Sequence, residues 1–198
     1  MNQLQNSIIT FDPNYKYVLH VGCGPKRIEK LHSTFHGQEW KELRVDLNPA
    51  VQPDLIANII SMPQIPDNAV DAIWTSHNIE HLYAHEVPIA FKEFLRILKP
   101  GGFVLATMPD LQKAAAYIAQ GKLEEPIYQS PAGPISALDI CFGFGASIAR
   151  GNYFMAHRTG FTVATLQQKF INCGFENVKV ESKNLDLWAV AHKPQPIV

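Results

Sequence analysis

Cysteine is scarce in this chain: its 198 residues include only Cys23, Cys141 and Cys173. They are scattered and odd in number, which excludes a disulfide framework and a paired-cysteine metal site, and suits a reducing compartment. Long basic runs are absent and the formal net charge is −1. Nucleic acid and an anionic membrane surface are therefore disfavoured as partners, with only a local patch left open. No apolar run approaches the length of a membrane span. The opening stretch, MNQLQNSIITFDPN, lacks a basic start followed by an apolar core. No signal peptide is expected, and the expected location is cytoplasmic. Repeats and low-complexity tracts are also missing. With 46% hydrophobic residues, the chain has material for one well-buried domain over 1–198 and too little for two.

What is present organises itself around YVLHVGCGPK at 17–26. Val18, Leu19 and Val21 read as a buried strand, and Gly22, Cys23, Gly24 and Pro25 break it. Glycine permits positive φ and close approach of a ligand to the backbone. Asp46 follows 22 residues after Gly24, at the end of a second apolar run. A strand, a Gly-x-Gly turn and an acid at this distance describe a nucleoside site in an open α/β sheet. Arg27 stands where a dinucleotide fingerprint needs its third glycine, so a pyrophosphate cradle is poorly supported. Read alone, the turn is also compatible with an ordinary tight turn, and Asp46 with a strand-ending surface acid.

Three further blocks narrow the reading. VLHVGCGP, RVDLNP, IPDNAVDAIWTSHNIEHL and LRILKPGGFVLATMPD occur in one order and at matching spacings. Together they resemble the class I S-adenosylmethionine (SAM)-dependent methyltransferases, strongly over 17–110 and loosely beyond. The resemblance implies an α/β, Rossmann-like fold: a seven-stranded, mainly parallel sheet with flanking helices and an antiparallel edge hairpin. It implies SAM as cofactor and methyl transfer as activity, with a small-molecule or saccharide acceptor by analogy. The implied cofactor residues are His20, Gly22, Cys23, Gly24, Asp46, Leu47, Asn58, Ile59, Ser76 and His77. Among these, Asp46 would anchor the ribose and Gly22–Gly24 the amino-acid moiety. Asn58 and Ile59 would border adenine, and Ser76 and His77 the reacting end. Two positions depart from the commonest pattern: His20 replaces the usual acid before the turn, and Lys26 its third glycine. A non-catalytic SAM-binding protein and a nucleotide-dependent oxidoreductase are the alternatives.

In chain order, 1–15 reads as a lead-in anchored by Ile8, Ile9 and Phe11, and 27–41 as a short helix or loop. Strands are expected at 42–47, 53–58, 70–76 and 103–108, then at 178–180 and 187–191. Helices are expected at 86–98, with Ile89, Phe91, Phe94, Leu95 and Leu98 as the core stripe, and at 111–120 and 161–172. Thr162 is the N-cap of the last helix and Gly174 its stop, while Lys99–Gly102 should stop the first. His77, His81 and His85 fall at i, i+4 and i+8, a spacing that suits a metal face on a helix. Pro88 interrupts that face and the family carries a similar Glu-His pair without metal, so none is expected. For a catalytic base the candidates are His81, Asp110 and His157. The stretch 121–157 breaks the α/β alternation and is rich in aromatics, which argues for an ordered insertion covering the acceptor site. Arg150, Tyr153 and His157 would orient the acceptor there. The alternative use of the same residues is a structural flap or a homodimer contact.

Overall fold

The computed structural model describes residues 8–196. Its main sheet is seven-stranded. The parallel part comprises β1 (Lys16–Val21), β2 (Trp40–Asp46), β3 (Leu55–Ile56), β4 (Val70–Ser76) and β5 (Leu98–Pro109). Helices α1 (Val87–Ile97) and α2 (Leu111–Ala119) flank β5 in the chain. A two-stranded antiparallel sheet, β6 (Pro126–Ser130) with β7 (Gly133–Ser136), stands apart, followed by α3 (Ala137–Phe142) and α4 (Gly145–Ala149). Helix α5 (Val163–Asn172) then leads to β8 (Glu176–Lys183) and β9 (Asp186–His192). The order across the main sheet is β3-β2-β1-β4-β5-β9-β8, with β9 antiparallel to both β5 and β8. This is the expected architecture, with the last strand inserted between its neighbours.

Strand alternation sorts the core into two faces. Leu19, Val21, Ile73, Val104 and Ala106 face α1 and α5, where Phe91 stacks on Phe170 with ring centroids 4.0 Å apart. Val18, Ala72, Trp74 and Leu105 point to the other face, which is covered by Leu31 and Phe35 from two short 3-10 turns. Helix α5 starts on Thr162, whose hydroxyl accepts from Thr165 N, and the chain leaves it through Gly174 at φ +100°. Ile9 and Phe11 pack against the core, whereas Ile8 is exposed. The rest of the predicted lead-in, 1–7, lies outside the described residues.

Three local expectations change. The third strand shrinks to Leu55–Ile56, because Asn58 closes a turn: its carbonyl accepts from Ser61 N and its side chain from Ile60 N. Helix α1 ends at Ile97, and Lys99–Gly102 belongs to β5. Gly101 N donates to Lys193 O and Lys193 N to Gly102 O, so the chain beyond β9 recruits these residues into the sheet. Ile89 is exposed, because the buried stripe of α1 runs through Val87, Ala90, Phe91, Phe94 and Ile97.

In this strand order the chain reverses direction of winding between β1 and β4. Ligands of open α/β sheets lie beyond the carboxyl ends of the strands at such a switch point.

Candidate functional site

Beyond β1 the backbone turns through Gly22 (φ +65°) and Gly24 (φ +58°). At Gly22 a Cβ would stand 2.5 Å from Asn78 Cγ, so the residue must be glycine for the β1 and β4 ends to approach. The turn is held from several sides. Gly22 N and Cys23 N both donate to Val45 O. Asp46 Oδ2 accepts from Gly24 N and its Oδ1 from Asn48 N, each at 2.9 Å. Behind the turn, the buried Arg44 guanidinium donates to the carbonyls of Gly24, Val51 and Gln52. This arginine ties the glycine turn to the loop after β2. His20, also buried, meets Glu42 Oε1 through Nδ1 at 2.6 Å.

These elements enclose a cavity of about 780 Å³ at the switch point. All ten residues singled out in the sequence for the cofactor line it: His20, Gly22, Cys23, Gly24, Asp46, Leu47, Asn58, Ile59, Ser76 and His77. Lys30 and Asn78 line it as well. Sequence reasoning places Asn78 there, beside Ser76 and His77 at the end of the fourth strand, but misses Lys30, which sits in an irregular stretch. Asn78 Nδ2 is buried without a hydrogen-bond acceptor among the described residues. Burial pushes the Cys23 thiol up to about 11, so it stays protonated and unreactive at neutral pH.

At the end of β4, Ser76 accepts from Thr107 Oγ1 at 2.8 Å. His77 then takes a left-handed conformation (φ +49°), and Ile79–His81 form a single 3-10 turn. The i, i+4, i+8 histidine row therefore never becomes a helical face. His85 sits exposed beside Tyr83, four residues past that turn's end, and α1 begins only at Val87. What the turn does create is a buried carboxylate, Glu80, 1% exposed. His77 Nδ1 lies 3.4 Å from its Oε1, and His77 Nε2 lies 3.5 Å from Asp186 Oδ1. Burial opposes protonation of His77, but these two carboxylates prevail and raise its pKa. Burial likewise opposes ionisation of Glu80, and the imidazoles of His77 and His81 outweigh it, lowering the pKa. For His157, burial dominates and lowers the pKa despite nearby Glu80.

The three candidate bases separate. His81 lines the cavity. His157 packs on it with ring centroids 5.0 Å apart but is not in the lining. Asp110 is a structural cap rather than a base: 3% exposed, it accepts from Gln112 N and Lys113 N at the start of α2 and from Ser182 Oγ. Its carboxylate is consumed by the fold and lies outside the cavity. The stretch 121–157 packs on α2 around a small core of Ala114, Ile135 and Ile140. It gives the cavity Asn152, Phe154 and Met155, while Arg150 and Tyr153 do not line it. A second cleft, of about 420 Å³, opens beside the first and shares Glu29, Trp74, Ser76 and His77 with it. Its walls include His32, Trp188, Thr107 and Asp186, with the His32 ring 5.2 Å from Trp74 and 5.7 Å from Trp188.

The family model described as a methyltransferase domain matches residues 19–106. No curated protein sequence matches the chain. Among solved structures, a SAM-dependent methyltransferase from Methanosarcina mazei is similar at a TM-score of 0.61 and 16% identity, over 92% of this chain and 94% of that one. A SAM-dependent methyltransferase from Archaeoglobus fulgidus is similar at 0.59 and 14%, over 90% and 86%. The 1,6-didemethyltoxoflavin-N1-methyltransferase of Burkholderia thailandensis, solved with bound 1,6-didemethyltoxoflavin and S-adenosylhomocysteine, is similar at 0.55 and 14%, over 92% and 72%.

Proposed function

We propose that the chain, whose residues 19–106 match the methyltransferase-domain model, is a class I SAM-dependent methyltransferase that transfers the SAM methyl group to a small-molecule or saccharide acceptor. The observation that carries this is the convergence of the ten residues that the resemblance implies, from four separate strand ends, on one cavity at the switch point. The residues suit the cofactor chemically. Each Asp46 oxygen accepts one backbone N–H and keeps lone-pair capacity for a ribose hydroxyl. Lys30 and the unpaired Asn78 Nδ2 are donors suited to the amino-acid carboxylate. Asn58 and Ile59 offer a half-polar edge and an apolar face for adenine.

SAM supplies a sulfonium-activated methyl carbon, and the chain's contribution is alignment. Holding acceptor and donor in attack geometry is worth roughly 7–11 kcal/mol. Ser76 and His77 belong to both the main cavity and the side cleft, so an acceptor in the cleft would meet the donor there. The cleft's aromatic walls, with Thr107 and Asp186 as polar groups, suit a flat or pyranose-like ring carrying hydroxyls.

Calorimetric titration with SAM, S-adenosylhomocysteine and NAD tests the cofactor. Saturable heat with the first two and none with NAD is expected, and the reverse would overturn the reading. Transfer of radiolabelled methyl to a panel of aromatic and saccharide acceptors tests the reaction. Tight SAM binding with no transfer to any of them would favour a non-catalytic SAM-binding protein.

A further inference from the structure

We propose that Glu80, His81 and His157 form a binding site for one divalent transition-metal ion beside the main cavity, at His81. The site stands independently of the methyl-transfer reading. Its starting point is Glu80: the side chain is 1% exposed, and neither oxygen accepts a hydrogen bond among the described residues. Buried carboxylates are ordinarily hydrogen-bonded, paired or bound to a metal. His77 compensates from one side only, at 3.4 Å and shared with Asp186.

The two other histidines each commit Nδ1 to a backbone carbonyl. His81 Nδ1 contacts Ala156 O at 3.1 Å, and His157 Nδ1 contacts Ile140 O at 2.9 Å. A carbonyl can only accept, so each Nδ1 carries the hydrogen and each neutral ring keeps its lone pair on Nε2. A backbone carbonyl holding the far nitrogen is the arrangement usual for metal-bound imidazole. The ligand atoms of Glu80, His81 and His157 lie within 4.8 Å of one another. Ligands of one tetrahedral ion stand about 3.3 Å apart, so closure needs shifts of about an ångström.

The fold delivers this juxtaposition deliberately. Arg158 N and Thr159 N both donate to Glu80 O, and His157 N donates to Phe142 O. The first two bonds clamp the chain just after the insertion onto the 3-10 turn, and the third fixes His157 within the insertion. Two imidazoles and one carboxylate favour zinc, iron, cobalt or manganese over magnesium or calcium. Since His81 also lines the cavity, an ion there would keep its free positions towards the cavity.

The test uses the full chain, stripped with a chelator and titrated with Co²⁺ under visible absorption, then with Zn²⁺ by calorimetry. One equivalent of Co²⁺ with intensified d–d bands is expected. Glu80→Gln and His157→Ala, each checked for folding by circular dichroism, should weaken Zn²⁺ binding by roughly 100-fold or more, above the 10–100-fold typical of outer-shell losses. His85→Ala, from the same histidine row but outside the cluster, should bind as the parent does. Absence of bands beyond those of the free ion would overturn the proposal. So would unchanged affinity in a folded His157→Ala or Glu80→Gln chain, or a loss confined to His85→Ala.

Discussion

Replacing Asp46 with alanine removes two hydrogen bonds that belong to the fold together with those that belong to the ligand, and the two losses are separable. The fold loses the acceptors of Gly24 N and Asn48 N. Asp46 is only half-buried, so water can reach both amides, and the net cost is about 1–3 kcal/mol of unfolding free energy at 0.5–1.5 per bond. The ligand loses hydrogen bonds from ribose hydroxyls to a charged acceptor, worth about 1.5–3 kcal/mol, or roughly ten- to hundredfold in Kd. Urea denaturation without ligand reads the first loss, and calorimetry with S-adenosylhomocysteine reads the second. A loosened glycine turn could weaken binding by itself, and Arg44→Met controls for that. It removes the guanidinium bonds to Gly24, Val51 and Gln52 from behind the turn without removing a cavity-lining group. Asp46→Ala should therefore lose more affinity than Arg44→Met while losing less stability. Equal affinity loss in the two variants, or unchanged affinity in folded Asp46→Ala, would refute a direct role for the carboxylate.

Two further outcomes are expected. At Gly143 (φ +93°) a Cβ would stand 1.9 Å from Met155 O, whereas at Gly121 (φ +79°) nothing lies within 4 Å. Gly143→Ala should cost more than about 2 kcal/mol and Gly121→Ala only about 1; equal urea midpoints would show that the close approach is unimportant. Burial pushes the Glu93 carboxyl up, but its hydrogen bonds from Arg96 and Met62 N outweigh that and hold it below the ordinary 4.5. A carboxylate with a depressed folded pKa stabilises fully above its unfolded value and loses that contribution as pH falls through the folded one. The parent should lose stability below pH 4.5, and Glu93→Gln, destabilised at neutral pH, should show a shallower acid slope in urea midpoints.

The strand, glycine turn and acid of the cofactor site were legible in the sequence because each rests on local chemistry. Buried strands show as short aliphatic runs, glycine marks positive φ, and the spacing to Asp46 follows from one crossover between adjacent parallel strands. Strand β4 and the Thr162 cap of α5 were legible for the same reason. Tertiary structure alone decided what the polar residues do. Asp110 has the composition of a base, but α2 and Ser182 claim its oxygens. Lys99–Gly102 has the composition of a helix stop, but the chain beyond β9 pairs with it. The histidines that look related by spacing, His77, His81 and His85, are separated by a 3-10 turn. His157 reaches His81 and Glu80 only because the insertion folds back. A side chain's chemistry is written in its own residue, but its partners come from whichever distant backbone packs against it, and no local period encodes that.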